Sequence, residues 1–276
     1  MSRAEPRKRV LSDILEDGAR LVFRHIVVFL RLTAPLILPV TAALIGVVTW
    51  RASSSGSSYL ATAILVAIGV VYAFAVMLCA SACVAVAAEA SRGAEPSARA
   101  AIELVLGRIG QVLCLATLLV VAAAPTIALP VLPTVKALGH YAPLSLFLAL
   151  ISLWLVGKWS VALPAMLEEK IGTVDSLRRS AELVRGSFLR ALGTVVLGGV
   201  FSLFAGAVVA IIVSVFSFGG GRMVAIVSLI GFALGELFVA PFFAGFLVVL
   251  YRDLLEREQG SSPVRTSRRV KRSTKR

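Results

Sequence analysis

The sequence predicts an all-α integral membrane protein, a six-helix bundle with a parallel internal repeat and amphipathic helices on the cytoplasmic side. Three observations carry this reading. Of the 276 residues, 58% are hydrophobic and 16% charged, with a mean hydropathy of +0.93, more apolar than a soluble core requires. Six apolar runs are each long enough to cross about 30 Å of hydrocarbon, which takes about 20 helical residues. The 28 Lys and Arg residues gather in alternate connections, the pattern of cytoplasmic flanks.

The apolar runs fall at 32–50, 59–88, 111–132, 144–166, 191–218 and 223–250. They are continuous, whereas a membrane β-barrel shows alternating segments of about 10 residues. Pro35, Pro39, Pro125 and Pro130 are candidates to interrupt their spans, and Pro241 to kink the sixth. The chain divides into a basic amphipathic N-terminal segment (1–25), a six-span membrane domain (26–255) and a disordered basic cytoplasmic tail (256–276). The opening MSRAEPRKRV is charged and distant from the first apolar run. It does not resemble a cleaved signal peptide, so the first run is expected to remain as a helix.

Orientation follows from counting basic flanks, because Lys and Arg resist translocation. With the N-terminus inside, 24 basic residues lie on the inner side and three, Arg51, Lys136 and Arg222, on the outer. Fourteen of the fifteen acidic residues share the inner side, and the remaining one, Glu236, falls within the sixth span. Both termini are therefore expected in the cytoplasm of a cell-membrane protein. The short Ser- and Gly-rich outer connections leave no room for an external domain.

A shift of 79 residues lays 88–113 over 167–192 without a gap and matches nine positions, among them Glu89/Glu168, Gly93/Gly172, Ser97/Ser176, Arg99/Arg178 and Gly107/Gly186. Each copy joins an incoming span to an outgoing one, so spans two and three repeat as four and five in the same orientation. In the second copy Val174, Leu177, Ala181, Val184 and Phe188 draw an apolar stripe at spacings of 3, 4, 3 and 4, with Arg178, Arg179 and Arg185 off it. Ala98, Ile102, Val105 and Ile109 do the same in the first copy. Val10, Ile14, Leu15, Leu21 and Val22 mark a third amphipathic helix near the N-terminus. Such helices are expected at the membrane surface or the inner ends of the bundle.

The second copy and the end of the last span resemble a known family. The residues are Glu168, Gly172, Arg179, Ser180, Leu183, Val184 and Gly186, then LYRDLLEREQG with Tyr251, Asp253, Leu254, Arg257 and Gly260. They are similar to the helical membrane domain of glycerophosphoryl diester phosphodiesterases and its stand-alone prokaryotic relatives. Leu255 departs from the basic residue usual in that ending. In fused relatives the activity belongs to a separate soluble barrel, for which no residues remain here; such a barrel takes about 250. The resemblance thus implies architecture and a link to membrane lipids, with no catalytic residues to transfer.

Lys158 and Glu236 are charges inside spans, which cost roughly 2.5–3.5 kcal/mol each at the centre on insertion scales. Their similar depth permits an ion pair. One reading is a buried pair that fixes helix register, with Gly231 and Gly235 admitting a neighbouring helix; the other is a polar path for an ion, a proton or a lipid headgroup. Cys79, Cys83 and Cys114 lie in apolar runs as small apolar residues. Cys79 and Cys83 share a face without His or acidic neighbours, so no metal is expected.

The tail from Arg265 to Arg276 holds seven basic residues in twelve, including Arg268, Arg269, Lys271 and Arg272, and no aromatics. It suits an anionic leaflet better than nucleic acid, which would find no stacking groups. Arg178, Arg179 and Arg185 are the other candidate contacts to anionic headgroups. The chain has no Ser/His/Asp arrangement, phosphate-cradling loop or paired carboxylates, and neither enzymatic activity nor a cofactor is predicted. The expected role is to contact lipids or to organise partner membrane proteins, including further copies of the chain; the alternative is a small transporter or channel-like protein using Lys158 and Glu236.

Overall fold

The computed structural model describes residues 10–53, 59–128, 142–215 and 222–261, and every element among them is a helix. In chain order these are α1 (Leu11–Arg24), α2 (Ile26–Ser53), α3 (Tyr59–Ser91), α4 (Ala98–Leu106) and α5 (Ile109–Ala128). They continue as α6 (Ala142–Trp159), α7 (Ala162–Glu168), α8 (Thr173–Val184), α9 (Phe188–Val215) and α10 (Arg222–Ser261).

Among the described residues four stretches are long and apolar enough to cross a membrane: Ile26–Val47, Val70–Ser91, Leu146–Glu168 and Leu237–Gln259. The number rises to six if two bent pairs are each taken as one span, α4 with the start of α5 at 83° and α8 with the start of α9 at 110°. Large apolar side chains remain on the outer surface, including Phe147, Leu150 and Trp154 of α6 and Val200, Phe204 and Ile211 of α9. Water tolerates few such patches; hydrocarbon solvates them.

The longest helix, α10, organises the bundle and packs against α9, α3, α1 and α2. Its Phe242 meets Phe23 of α1 and Phe201 of α9 edge to face, with centroids 5.2 and 5.6 Å apart, an arrangement that suits the ring quadrupoles. The small residues from Ala82 to Ala88 are buried on every side of α3, which lets neighbouring backbones approach closely.

The amphipathic α1 begins where the Asp13 carboxylate accepts the Val10 N–H at 2.9 Å. Its buried stripe is Ile14, Gly18 and Val22, while Val10, placed on the apolar side by the sequence pattern, is exposed. The stripe turns on glycine: a Cβ on Gly245 would stand 2.9 Å from the Gly18 carbonyl oxygen and 2.8 Å from the Val22 side chain.

The fourth apolar run is not one helix. It breaks at Ser160 and Val161 between α6 and α7, because Pro164 has no N–H for the Ser160 carbonyl and its ring collides with that carbonyl in a continuous helix. Pro35 and Pro39 stay inside α2, and Pro241 inside α10. The last helix runs on to Ser261, carrying its polar end well past the apolar run.

The two matched segments share an element order, a short helix followed by a sharp bend into a long one, but differ in detail. Gly93 adopts φ +76°, which favours glycine; Gly172, at φ −72°, is the N-cap of α8. Ser97 caps α4 by accepting the Ala100 N–H at 3.4 Å, and Glu89 accepts the Ser97 N–H at 3.2 Å. Ser176 instead lies within α8, buried, its hydroxyl donating to the Thr173 carbonyl at 2.7 Å.

Candidate functional site

Three faces of the last turns of α10 address three neighbours at the charged end of the bundle. Tyr251 and Glu258, seven residues apart, face α7 and α8. The Tyr251 hydroxyl donates to Glu169 Oε1 at 2.8 Å, and Arg179 Nε donates to the same oxygen at 3.0 Å. The Arg179 terminal nitrogens donate to the two Glu258 oxygens at 2.8 and 2.7 Å, a bidentate pair that fixes orientation as well as distance. These bonds to Glu258, reinforced by Glu169, raise the Arg179 guanidinium above its ordinary range.

Asp253 faces α9. Its carboxylate, 5% exposed, accepts from Arg190 Nη1 at 3.1 Å and from Arg257 Nε and Nη2 at 2.8 and 3.4 Å. On the third face Arg252 donates to the Ser91 carbonyl at 2.9 Å and the Ala88 carbonyl at 3.4 Å, capping the end of α3 where carbonyls lack helical partners and the dipole attracts a cation. Glu168 stands 3.8 Å from Arg252. Its Oε1 and Arg252 Nε are buried without a hydrogen-bond partner among the described residues. The chain turns from α7 into α8 through Lys170 at φ +57°, a left-handed conformation that costs a non-glycine residue about 1–2 kcal/mol.

Ser180 of α8 mends the break in the fourth run. Its hydroxyl donates to the Lys158 carbonyl at 2.8 Å and accepts the Val161 N–H at 3.3 Å. Both backbone groups would otherwise be unpaired, the Val161 N–H buried and the Lys158 carbonyl partly so, where a fully buried unpaired group costs about 1–3 kcal/mol. Two further contacts tie the short helices to their neighbours: Thr173 Oγ1 donates to the Gln111 carbonyl at 3.1 Å, and Arg108 Nη1 to the Met166 carbonyl at 3.4 Å.

Beside this junction lies a partly open cavity of about 450 Å³ lined by α3, α5, α6, α7, α9 and α10. Val112, Leu115 and Leu119 line it from α5, Trp159 and Leu163 from the broken run, and Phe243 from α10. On α6 the lining residues are Val156 and Trp159, followed by Ser160 at the break, and Lys158 is not among them. The Lys158 ammonium sits 4.1 Å from the centroid of the Trp154 ring, a cation–π contact beside an indole that is half exposed on the outer surface.

The structure separates the candidates grouped in the sequence. Arg179 lies inside the ion cluster rather than out in solvent, while Arg178 and Arg185 are exposed, Arg178 only 3.9 Å from Glu182 on its own helix. Val174 of the expected stripe is 74% exposed, and the buried residues of α8 are Ser176, Ser180, Leu183 and Val184. Gly231 and Gly235 are buried. The side chain of Glu236 and residues Arg268, Arg269, Lys271 and Arg272 lie outside the described residues. Cys79 and Cys83 are buried and Cys114 is exposed; among the described residues no three metal-type ligands converge.

Of the residues that carry the resemblance, Arg179, Ser180, Tyr251, Asp253 and Arg257 take part in the bonds of this junction. Comparison with known proteins finds no matching family model, no matching curated protein and no matching solved structure.

The sequence pattern alone passed over Gly18, Gly245, Arg190 and Arg252. Gly18 completes the i, i+4, i+8 series with Ile14 and Val22, a legible signal once glycine is admitted as a packing residue. Arg190 and Arg252 act over distances of 63 and 161 residues in the chain, which local spacing does not encode.

Proposed function

We propose that this chain is a non-enzymatic, six-span cell-membrane protein with both termini in the cytoplasm, which gathers anionic lipid around its charged cytoplasmic end. The observation that carries this reading is the concentration of α1, α4, α8 and the end of α10 at one charged end, where Arg178 and Arg185 stay exposed, in a chain whose residues 265–276 hold seven further basic residues in twelve. Each basic residue near an anionic leaflet contributes about 1 kcal/mol. The six-span count takes each bent pair to make one crossing, through its long helix α5 or α9 with α4 and α8 on the cytoplasmic side, and the two matched segments then fall on the same side as a parallel repeat. The likeness to the phosphodiesterase membrane domain agrees with this arrangement and brings no activity with it. Partner membrane proteins, or further copies of the chain, are the other class of ligand for the same end.

Lys158, lying over Trp154 and not among the residues that line the cavity, counts against a polar path built on Lys158 and Glu236. The test is to extract the protein with its surrounding lipid in polymer nanodiscs. Enrichment of anionic lipid over the bulk membrane is expected, reduced when Arg178, Arg185 and the tail basics are changed to Gln. A lipid composition equal to bulk in both samples overturns the reading.

A further inference from the structure

We infer that the cavity between α3, α5, the α6–α7 run and α10 takes one acyl chain of an anionic membrane phospholipid, with the headgroup held at Arg108. The inference rests on the lipid-contacting reading above and adds to it an interior site.

The lining is hydrocarbon almost throughout. Its hydroxyls, Ser81 and Ser160, each donate to their own helix, to the Met77 carbonyl at 2.9 Å and the Gly157 carbonyl at 3.0 Å. A polar ligand therefore finds no free donor from them, and an apolar cavity does not hold water. At about 450 Å³ the space falls in the range that binds small ligands, and empty it would forfeit the dispersion contacts of its walls. In a bundle with this many large apolar side chains on its surface, the apolar ligand at hand is a lipid chain.

The choice of headgroup comes from Arg108. It stands one turn before the lining residue Val112, in series with Leu115 and Leu119, and its bond to the Met166 carbonyl at 3.4 Å places it between two of the helices that form the wall. Arg179, Arg190, Arg252 and Arg257 each have a carboxylate within 4 Å. Among the described residues Arg108 has none, and it is half-buried. Its remaining donors suit a phosphate oxygen, which a guanidinium holds by charge-assisted bonds.

Trp159 lines the cavity while Trp154 faces outward, so the two indoles report on different lipids. Full-length protein in nanodiscs, with one of them as the sole tryptophan (the others changed to Phe), is to be measured with phosphatidylglycerol brominated at mid-chain. Quenching of both is expected. Ala116→Leu and Ala240→Leu fill the space from opposite walls and should each abolish Trp159 quenching while Trp154 stays quenched. Arg108→Gln should reduce Trp159 quenching to the weaker level given by brominated phosphatidylcholine.

An unquenched Trp159, or quenching that survives both filling variants, overturns the interior site. Equal quenching by the two lipids, unchanged in Arg108→Gln, overturns the headgroup assignment. Loss of anionic enrichment around the whole protein with Trp159 still relieved by the filling variants would remove the surface reading and leave the cavity site standing.

Discussion

Gly18 of α1 and Gly245 of α10 cross in contact, so close that a Cβ on Gly245 would stand 2.9 Å from the Gly18 carbonyl oxygen. A backbone atom cannot swing aside as a side chain can. Gly245→Ala is expected to lower stability by about 1–3 kcal/mol, the usual cost of overpacking. Gly199→Ala, on α9 with nothing within 4 Å of the added carbon, should be neutral or gain up to about 1 kcal/mol from helix propensity. Thermal unfolding of the two variants in one detergent checks the contrast; equal melting temperatures would show that the crossing is not tight.

Arg179→Ala removes the bonds to Glu169 and Glu258 and is expected to cost about 1.5–3 kcal/mol. Arg178→Ala, whose side chain is 82% exposed, should cost no more than about 0.5 kcal/mol. Arg179→Lys should recover little, since an ammonium cannot make the paired bonds to Glu258. Denaturant titration of the three variants ranks them, and full recovery by Lys would reduce the site to bare charge.

Asp253→Ala leaves Arg190 and Arg257 facing a vacated, largely buried position. A loss of about 3–5 kcal/mol is expected, as when one member of a buried ion pair is removed. Asp253→Glu, keeping the charge but displacing it by one methylene, should lie between. The same titration reads both, and a near-neutral Asp253→Ala would mean that solvent reaches the two arginines freely.

Ser180→Ala exposes the cost of the helix break. With the Lys158 carbonyl and Val161 N–H both unpaired, about 2 kcal/mol is expected to be lost, and hydrogen exchange at Val161 should quicken. In a Pro164→Ala background the α6–α7 run can close into one helix, so the Ser180→Ala loss should shrink. Additive losses in the double variant would show the break to be set elsewhere, because independent sites add and coupled ones do not.

The features legible in advance were those written in local pattern: apolar runs, the amphipathic character of α1, α4 and α8, and the concentration of charge in particular connections. The face of α8 was legible only in part. Its pattern turned Val174 inward together with Leu177 and Val184; Leu177 and Val184 do pack against the core, but Val174 is exposed and the helix also presents Ser176 and Ser180 to the protein, Ser180 supplying the hydroxyl at the break next to Lys158. Hydropathy counts serine as neutral and so cannot rank an unpaired carbonyl above a buried valine. Pro164 announces that break, yet within an apolar run a proline reads the same whether it ends a helix, as here, or is absorbed, as Pro241 is in α10. The cavity depends on how five or more helices meet, and no single segment specifies it.

The grip of α10 on α1 has a bearing on biosynthesis. A ribosome delivers α1 before α10, so the Gly18 face must wait while all the helices between them are made before Gly245 arrives. Until then the early helices lack both that neighbour and the arginine that caps α3. A chain stopped short of α10 therefore leaves an open assembly, and α1 seated on α10 marks one in which both partners have been made.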